Sequence, residues 1–133
     1  FLKKEDLNDF YKNTIKEFGL ESIENSMGYV LSGGQRRKVE IARCLASKPK
    51  LILLDEPFAG IDPLAIEDIK NVLKSLSNKG ICILITDHNL RETIDICNYS
   101  IVIKDGGILD KGDKDYLISS SLIREEYFGT VFD

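Results

Sequence analysis

Hydrophobic positions spaced as in a helix occupy the first third of the chain. Apolar residues at helical spacing over 4–18 predict an amphipathic helix that ends at Gly19. A second helix is predicted over 33–46, because Ser32 and Gln35 have the spacing of a capping box at its start. The packed face of this second helix is predicted to include Val39, Ala42 and Leu45.

The middle of the chain has the pattern of buried strands. Two uninterrupted apolar runs, at 51–54 and 81–86, predict strands that are buried on both faces. A helix that begins at Asp62 is predicted between them, so the two strands should be parallel. A β-hairpin with its turn at 104–107 and a short helix capped by Asp113 are predicted to follow. This order of elements predicts an α/β fold.

Composition narrows the class of protein. The chain is 43% hydrophobic and 30% charged, as expected of a globular domain, and its length allows one domain. Its formal net charge of −4 disfavours nucleic acid as the main partner. No apolar stretch approaches the roughly 20 residues of a membrane span, so direct membrane insertion is not expected. Because Phe1 is not a methionine, we expect either that processing has removed a segment or that the chain is a piece of a longer polypeptide.

Candidate chemistry lies where the two predicted strands end. Asp55 and Glu56 follow the first strand, and Asp87 and His88 follow the second. Ligands of open α/β sheets bind beyond the carboxyl ends of the strands. One of two adjacent carboxylates can hold Mg²⁺ while the other orients or deprotonates an attacking water. Taken alone, an Asp-Glu pair is more often a solvated pair of acids.

A second candidate is the sequence Leu-Ser-Gly-Gly-Gln at 31–35, which opens the second predicted helix. Two glycines let backbone N–H groups approach an anion closely, and a helix N-terminus favours negative charge. The alternative interpretation is a well-capped helix with no ligand. Arg37 and Lys38 follow, and we expect both to lie on a solvated face.

Four segments occur together in one order: Leu-Ser-Gly-Gly-Gln at 31–35, Leu-Ile-Leu-Leu-Asp-Glu-Pro at 51–57, Ala-Gly-Ile-Asp-Pro at 59–63 and Thr-Asp-His at 86–88. They resemble the signature motif, Walker B motif, D-loop and H-loop of ATP-binding-cassette (ABC) ATPases. The resemblance implies the C-terminal half of a P-loop NTPase nucleotide-binding domain. Residues 1–47 would be part of the helical subdomain, and 48–133 would carry the other motifs and the C-terminal region.

The resemblance implies roles for individual residues, with ATP and Mg²⁺ as cofactors. Asp55 would be the Mg²⁺-associated carboxylate, and Glu56 the general base or water-positioning group. His88 would contact the γ-phosphate and couple it to the water. Asp62 would lie at the interface of a homodimer. The nucleotide bound to the opposite subunit would be gripped by the signature residues Ser32, Gly33, Gly34 and Gln35.

The sequence has no P-loop of the form G-x-x-x-x-G-K-[ST], which supplies the phosphate cradle of this family. We therefore expect the 133 residues alone not to hydrolyse ATP, and Phe1 to mark a cut edge rather than a processed terminus. We also expect them to be poorly stable or to self-associate, because an apolar strand edge would be unpaired. The alternative is a non-catalytic dimerisation module that lends its signature motif to the site of another subunit.

Within the family, Phe58 and the run Asp-His-Asn-x-Arg-Glu-Thr at 87–93 resemble the ATPase subunit of lipopolysaccharide export transporters. That resemblance implies a bacterial homodimer at the cytoplasmic face of the inner membrane, bound to permease subunits. At Gln35 the export subunit often has Glu. The ATPase of branched-chain amino-acid importers shares much of the same pattern and is the alternative.

Overall fold

The computed structural model describes residues 4–128 and the side chains of residues 6–127. The chain divides into two compact units, Phe1–Thr86 and Asp87–Asp133. Each unit is built around its own pair of strands. The predicted boundary between 47 and 48 concerns subdomains of a larger domain and stays a prediction.

The first unit begins with helices and continues with a βαβ unit. Its elements are α1 (Lys4–Glu17), single 3₁₀ turns at Glu21–Ile23 and Gly28–Val30, α2 (Gly33–Leu45), β1 (Leu51–Asp55), α3 (Pro63–Asn78) and β2 (Cys82–Thr86). The strands are parallel and in register from Leu51 opposite Cys82 to Asp55 opposite Thr86. The predicted helices and the parallel strand pair are confirmed.

The β1–β2 sheet is buried on one face rather than on two. Ile52 is buried, whereas Leu51, Leu53 and Leu84 are 51–66% exposed. The prediction of strands buried on both faces was wrong for this part of the chain. Within residues 4–128 this sheet has two strands, and the apolar face of α3 accounts for the burial of one side only.

Helix α3 supplies most of the buried surface of the first unit. Its apolar residues follow helical spacing, and the best-buried of them are Ile69, Leu73 and Leu76. Near its end it is fastened to α1, since the Glu17 carboxylate accepts hydrogen bonds from the Ser75 hydroxyl at 3.0 Å and from Lys79 Nζ at 2.5 Å. Helix α3 therefore contacts α1, α2 and the sheet of this unit.

The second unit is a hairpin packed with short helices. Its elements are α4 (Leu90–Ile96), β3 (Ser100–Lys104), β4 (Gly107–Gly112), α5 (Lys114–Ser119), α6 (Ser121–Ile123) and a π-helical turn at Arg124–Phe128. The strands are antiparallel, which confirms the predicted hairpin, and Asp113 caps α5 as predicted. A small core holds the unit together and consists of Ile94, Val102, Leu117 and Ile123.

Candidate functional site

The start of α2 is closed by a reciprocal pair of hydrogen bonds. Gln35 N donates to Ser32 Oγ at 3.2 Å, and Ser32 N donates to Gln35 Oε1 at 3.0 Å. The predicted capping box is therefore present. The arrangement still leaves the Ser32 hydroxyl hydrogen and the Gln35 carboxamide N–H groups as donors. Ser32 and Gly33 are exposed, so this helix start can present several donors to an anion.

Of the two glycines of the signature segment, Gly34 has a packing role. A Cβ at Gly34 would lie 2.5 Å from Ala65 Cβ, which is far inside van der Waals contact. A Cβ at Gly33 would lie 3.4 Å from the Gly60 carbonyl oxygen. The close packing of α2 on α3 thus explains the glycine at position 34, whether or not a ligand binds there. The predicted contact of these residues with a nucleotide stays a prediction.

Asp55 is the last residue of β1, and its side chain is exposed beside that of Thr86. Its Oδ1 accepts a hydrogen bond from Thr86 Oγ1 at 2.5 Å. The strand pairing places these two residues opposite each other, so the bond fixes the carboxylate at the carboxyl end of the sheet.

Glu56 turns the chain away from the strand. Its φ is 45°, in the left-handed region that few residues with a side chain adopt. Its N–H donates to Thr86 O at 2.7 Å, and its carbonyl accepts from Ala59 N at 3.2 Å. The Glu56 side chain is exposed, so the chain presents two adjacent carboxylates at this corner. Strained backbone of this kind occurs often at functional sites.

A metal ion at this corner would draw its protein ligands from the carboxylates of Asp55 and Glu56. Among residues 4–128, no three His, Cys, Asp or Glu side chains form a group able to hold a metal. Asp55 keeps a second oxygen beyond the one that accepts from Thr86. This donor set fits Mg²⁺, which is commonly held by one or two carboxylates together with waters and substrate phosphates.

Asp62 is exposed at the start of α3 and is its N-cap. Its Oδ1 accepts a hydrogen bond from Ala65 N at 3.0 Å. The neighbouring Leu64 is 83% exposed, which is unusual for a leucine. The capping role is confirmed, and the role of Asp62 at a dimer interface stays a prediction.

His88 belongs to the second unit, where it stands between Asp87 and the N-cap of α4. The His88 side chain is 73% exposed, whereas that of Asp87 is 1% exposed. His88 Nδ1 lies 3.8 Å from Asp87 Oδ1, and the same oxygen accepts a hydrogen bond from Asn89 N at 2.8 Å. The imidazole is thus presented outward beside a fixed carboxylate. Its contact with a γ-phosphate stays a prediction.

Two basic residues of α2 were wrongly predicted to be solvated. The Lys38 side chain is 14% exposed, and its Nζ lies 3.7 Å from Asp68 Oδ2. The Arg37 guanidinium reaches the Glu56 carbonyl, with Nη2 3.4 Å from that oxygen. Helical spacing could have indicated this, because positions 37 and 38 lie four and three residues before the apolar Ile41, on the face that the structure buries.

Comparison with known sequences gives a consistent result. Residues 3–59 match the family described as "ABC transporter". The chain is 46% identical over 118 residues to the lipopolysaccharide export system ATP-binding protein LptB of Haemophilus influenzae, covering 89% of this chain and 49% of that protein. It is 42% identical over 131 residues to LptB of Escherichia coli strain K12, covering 98% of this chain and 54% of that protein. The chain therefore spans about half the length of these relatives.

Solved structures agree with the sequence comparison. The ADP conformation of MJ1267, an ATP-binding cassette of an ABC transporter, superposes with a TM-score of 0.81 at 31% identity, covering 97% of this chain and 52% of that one. CbiO1 of Clostridium perfringens, part of the ABC transporter complex cbiONQ, gives 0.82 at 28% identity, covering 94% and 50%. In the described part of the chain no helix is long and apolar enough to cross a membrane. The chain is therefore similar in sequence to ATP-binding proteins of ABC transporters and has the fold of a part of their nucleotide-binding domain.

Proposed function

We propose that the protein carrying this chain is the ATP-hydrolysing subunit of an ABC transporter that exports lipopolysaccharide. The observation that carries the proposal is the corner at the end of β1. Two exposed carboxylates, Asp55 and Glu56, stand there on a backbone that is pinned to Thr86. Phosphoryl transfer to water needs such a pair, because one group holds the metal and the other acts on the nucleophile.

Glu56 is the general base of this proposal. Its side chain is exposed, and it follows the last residue of β1 at a point where the backbone is left-handed. It orients the attacking water and accepts its proton. Asp55 would hold Mg²⁺, directly or through a water, and the bound ion would neutralise charge on the phosphate oxygens.

The signature residues act on a nucleotide held by a second copy of the protein. Ser32, Gly33 and Gln35 supply donors at the first turn of α2, and Gly34 lets that turn rest on α3. Exposed Asp62 and Leu64 lie at the dimer interface in this arrangement. His88 contacts the γ-phosphate and couples it to the attacking water.

The cargo is proposed from relatives rather than from site chemistry. Two proteins that are 42–46% identical to this chain are ATP-binding proteins of lipopolysaccharide export systems. By analogy, the homodimer binds permease subunits at the cytoplasmic face of the inner membrane. The energy of ATP hydrolysis then drives movement of lipopolysaccharide by those subunits.

ATP hydrolysis by the full-length protein tests the catalytic part. We expect Mg²⁺-dependent turnover that Glu56→Gln reduces by roughly 10²–10⁴-fold, because a general base is worth that much. Glu21→Gln is the matched control, since Glu21 is an exposed glutamate in a different turn. Equal activity of the Glu56→Gln variant and the wild type would contradict the assignment. ATP-driven dimerisation without any hydrolysis would favour the non-catalytic module.

Purification of the full-length protein with its permease tests the cargo. We expect the recovered permease to support ATP-dependent extraction of lipopolysaccharide from vesicles that contain it. Recovery of an amino-acid permease, with ATPase activity stimulated by branched-chain amino acids, would replace the export assignment and leave the ATPase assignment in place.

A further inference from the structure

Arg37 joins the helix of the signature segment to the corner that carries the proposed base. From the second turn of α2, its Nη2 donates to the Glu56 carbonyl oxygen at 3.4 Å. Its Nη1 donates to Glu40 Oε2 at 2.9 Å. The two contacts use different nitrogens of one planar group, so the position of the guanidinium is fixed from both sides.

The Arg37 side chain is held in place at a cost. It is 28% exposed overall, but its Nε is buried and, among the described residues, has no hydrogen-bond partner. An unsatisfied buried donor generally costs free energy that a solvated side chain would avoid. An arginine side chain without specific contacts would extend into solvent, where water would satisfy its Nε. The observed position indicates that the contacts of the guanidinium outweigh that cost.

The Glu56 carbonyl is the group whose direction decides where the Glu56 side chain points. In the left-handed conformation, the carbonyl and the Cα–Cβ bond are tied together by a narrow range of φ and ψ. The carbonyl accepts from Ala59 N within the same turn and from Arg37 across the fold. Of these two bonds, the one from Arg37 fixes the turn relative to α2.

We propose that Arg37 is a positioning residue for ATP hydrolysis, holding the backbone of Glu56 so that its carboxylate stands where it acts on water. The proposal rests on the proposed function, since it assumes that Glu56 is the base. Arg37 itself touches neither nucleotide nor water in this role. Misplacement of a catalytic group by about 1 Å can cost on the order of 100-fold in rate.

Steady-state ATP hydrolysis by the full-length protein tests the proposal. We expect Arg37→Met to lower kcat by roughly 10- to 100-fold while KM for ATP changes less than about twofold. Arg37→Lys should restore part of the rate, because an ammonium group keeps a donor for the carbonyl. Arg43→Met is the matched control, the same substitution at an exposed position of the same helix.

A second measurement separates positioning from loss of the helix and does not depend on activity. Hydrogen exchange of the Ala59 amide, which donates to the Glu56 carbonyl, should be faster by about tenfold or more in Arg37→Met, with the amides of α2 and α3 unchanged. Unchanged exchange at Ala59 overturns the proposal. Faster exchange throughout α2 also overturns it, because Arg37 would then only stabilise the helix.

The ATPase activity of the protein and the positioning role of Arg37 can be contradicted separately. If the wild type hydrolyses ATP and Arg37→Met has the same kcat, the positioning role is wrong and the ATPase stands. If the wild type binds ATP without hydrolysing it, the proposed function fails, and the catalytic role of Arg37 fails with it. In a Glu56→Gln background, Arg37→Met should leave ATP-induced dimerisation intact, and its loss would assign Arg37 to nucleotide binding instead.

Discussion

The corner at Glu56 and the hairpin turn at Asp105 have nearly the same backbone conformation for different reasons. Their φ angles are 45° and 50°. Asp105 is followed by Gly106 at φ 79° between two antiparallel strands, and Asp-Gly is a preferred pair for such a turn. Glu56 has no such preference and is held by Thr86 and Arg37. At Glu56, contacts with residues far away in the sequence thus impose a conformation that the local sequence does not favour.

The largest expected effect comes from Glu56→Gly, which should separate stability from function. Glycine removes the left-handed strain, so the free energy of unfolding should rise by about 0.5–1 kcal/mol. ATP turnover of the full-length protein should fall by roughly 10²–10⁴-fold, because the general base is gone. Urea unfolding and steady-state hydrolysis measure the two effects on the same preparation.

Asp105→Gly is the control for the effect of Glu56→Gly on the free energy of unfolding. Aspartate already tolerates the left-handed region, so the gain at Asp105 should be smaller than at Glu56. Equal gains at both positions would show that the Glu56 corner is no more strained than an ordinary turn. The backbone conformation of Glu56 would then give no reason to assign it a function.

Gly34→Ala should have the next largest effect, because α2 packs closely on α3 at Gly34. The new methyl group would lie 2.5 Å from Ala65 Cβ, and such overpacking typically costs about 1–3 kcal/mol. Adding Ala65→Gly should restore much of the stability, as measured by urea unfolding. If the single variant is as stable as the wild type, Gly34 has no packing role.

The same double variant bears on the ligand. If Gly34 serves packing alone, Gly34→Ala with Ala65→Gly should also recover ATP hydrolysis in the full-length protein. Restored stability without restored hydrolysis would indicate that the backbone at Gly34 must approach the nucleotide. The outcome would show whether Gly34 serves packing alone or also serves the anion binding that was predicted from the sequence.

Local signals made much of this fold predictable. Ser32 with Gln35, Asp62 with its following proline, and the Asp-Gly turn each specify their own element over a few residues. The contact of Arg37 with Glu56 was not predicted, because it joins residues 19 positions apart and depends on how α2 lies against the end of β1. The exposure of Leu53 was also not predicted. An apolar run indicates that a strand can be buried, but it does not indicate which element covers each face.

Gly106→Ala tests whether the hairpin turn at Asp105 depends on local backbone conformation alone. Nothing lies within 4 Å of a Cβ at Gly106, so the whole effect is conformational. With φ at 79°, alanine should lower the free energy of unfolding by about 1 kcal/mol. ATP turnover should remain at the wild-type level once the protein is folded. A much larger loss of stability would mean that the hairpin turn also depends on distant packing.

The smallest expected effect is a dependence of hairpin stability on pH. The pKa of Asp110 lies below its usual value because its carboxylate accepts hydrogen bonds from the Ser120 hydroxyl and from Lys111 N. A carboxyl whose pKa is lowered on folding stabilises the folded state above its unfolded pKa of about 3.9, and that contribution is lost as pH falls through the folded value. Asp110→Asn should therefore have a lower melting temperature than the wild type at pH 7, and the difference should shrink below about pH 4. Asp9→Asn, at an exposed position of α1, should show a smaller difference at pH 7. A difference at Asp110 that is unchanged from pH 7 to pH 3 would contradict the assignment, because it would show that the loss comes from altered packing and not from the carboxylate.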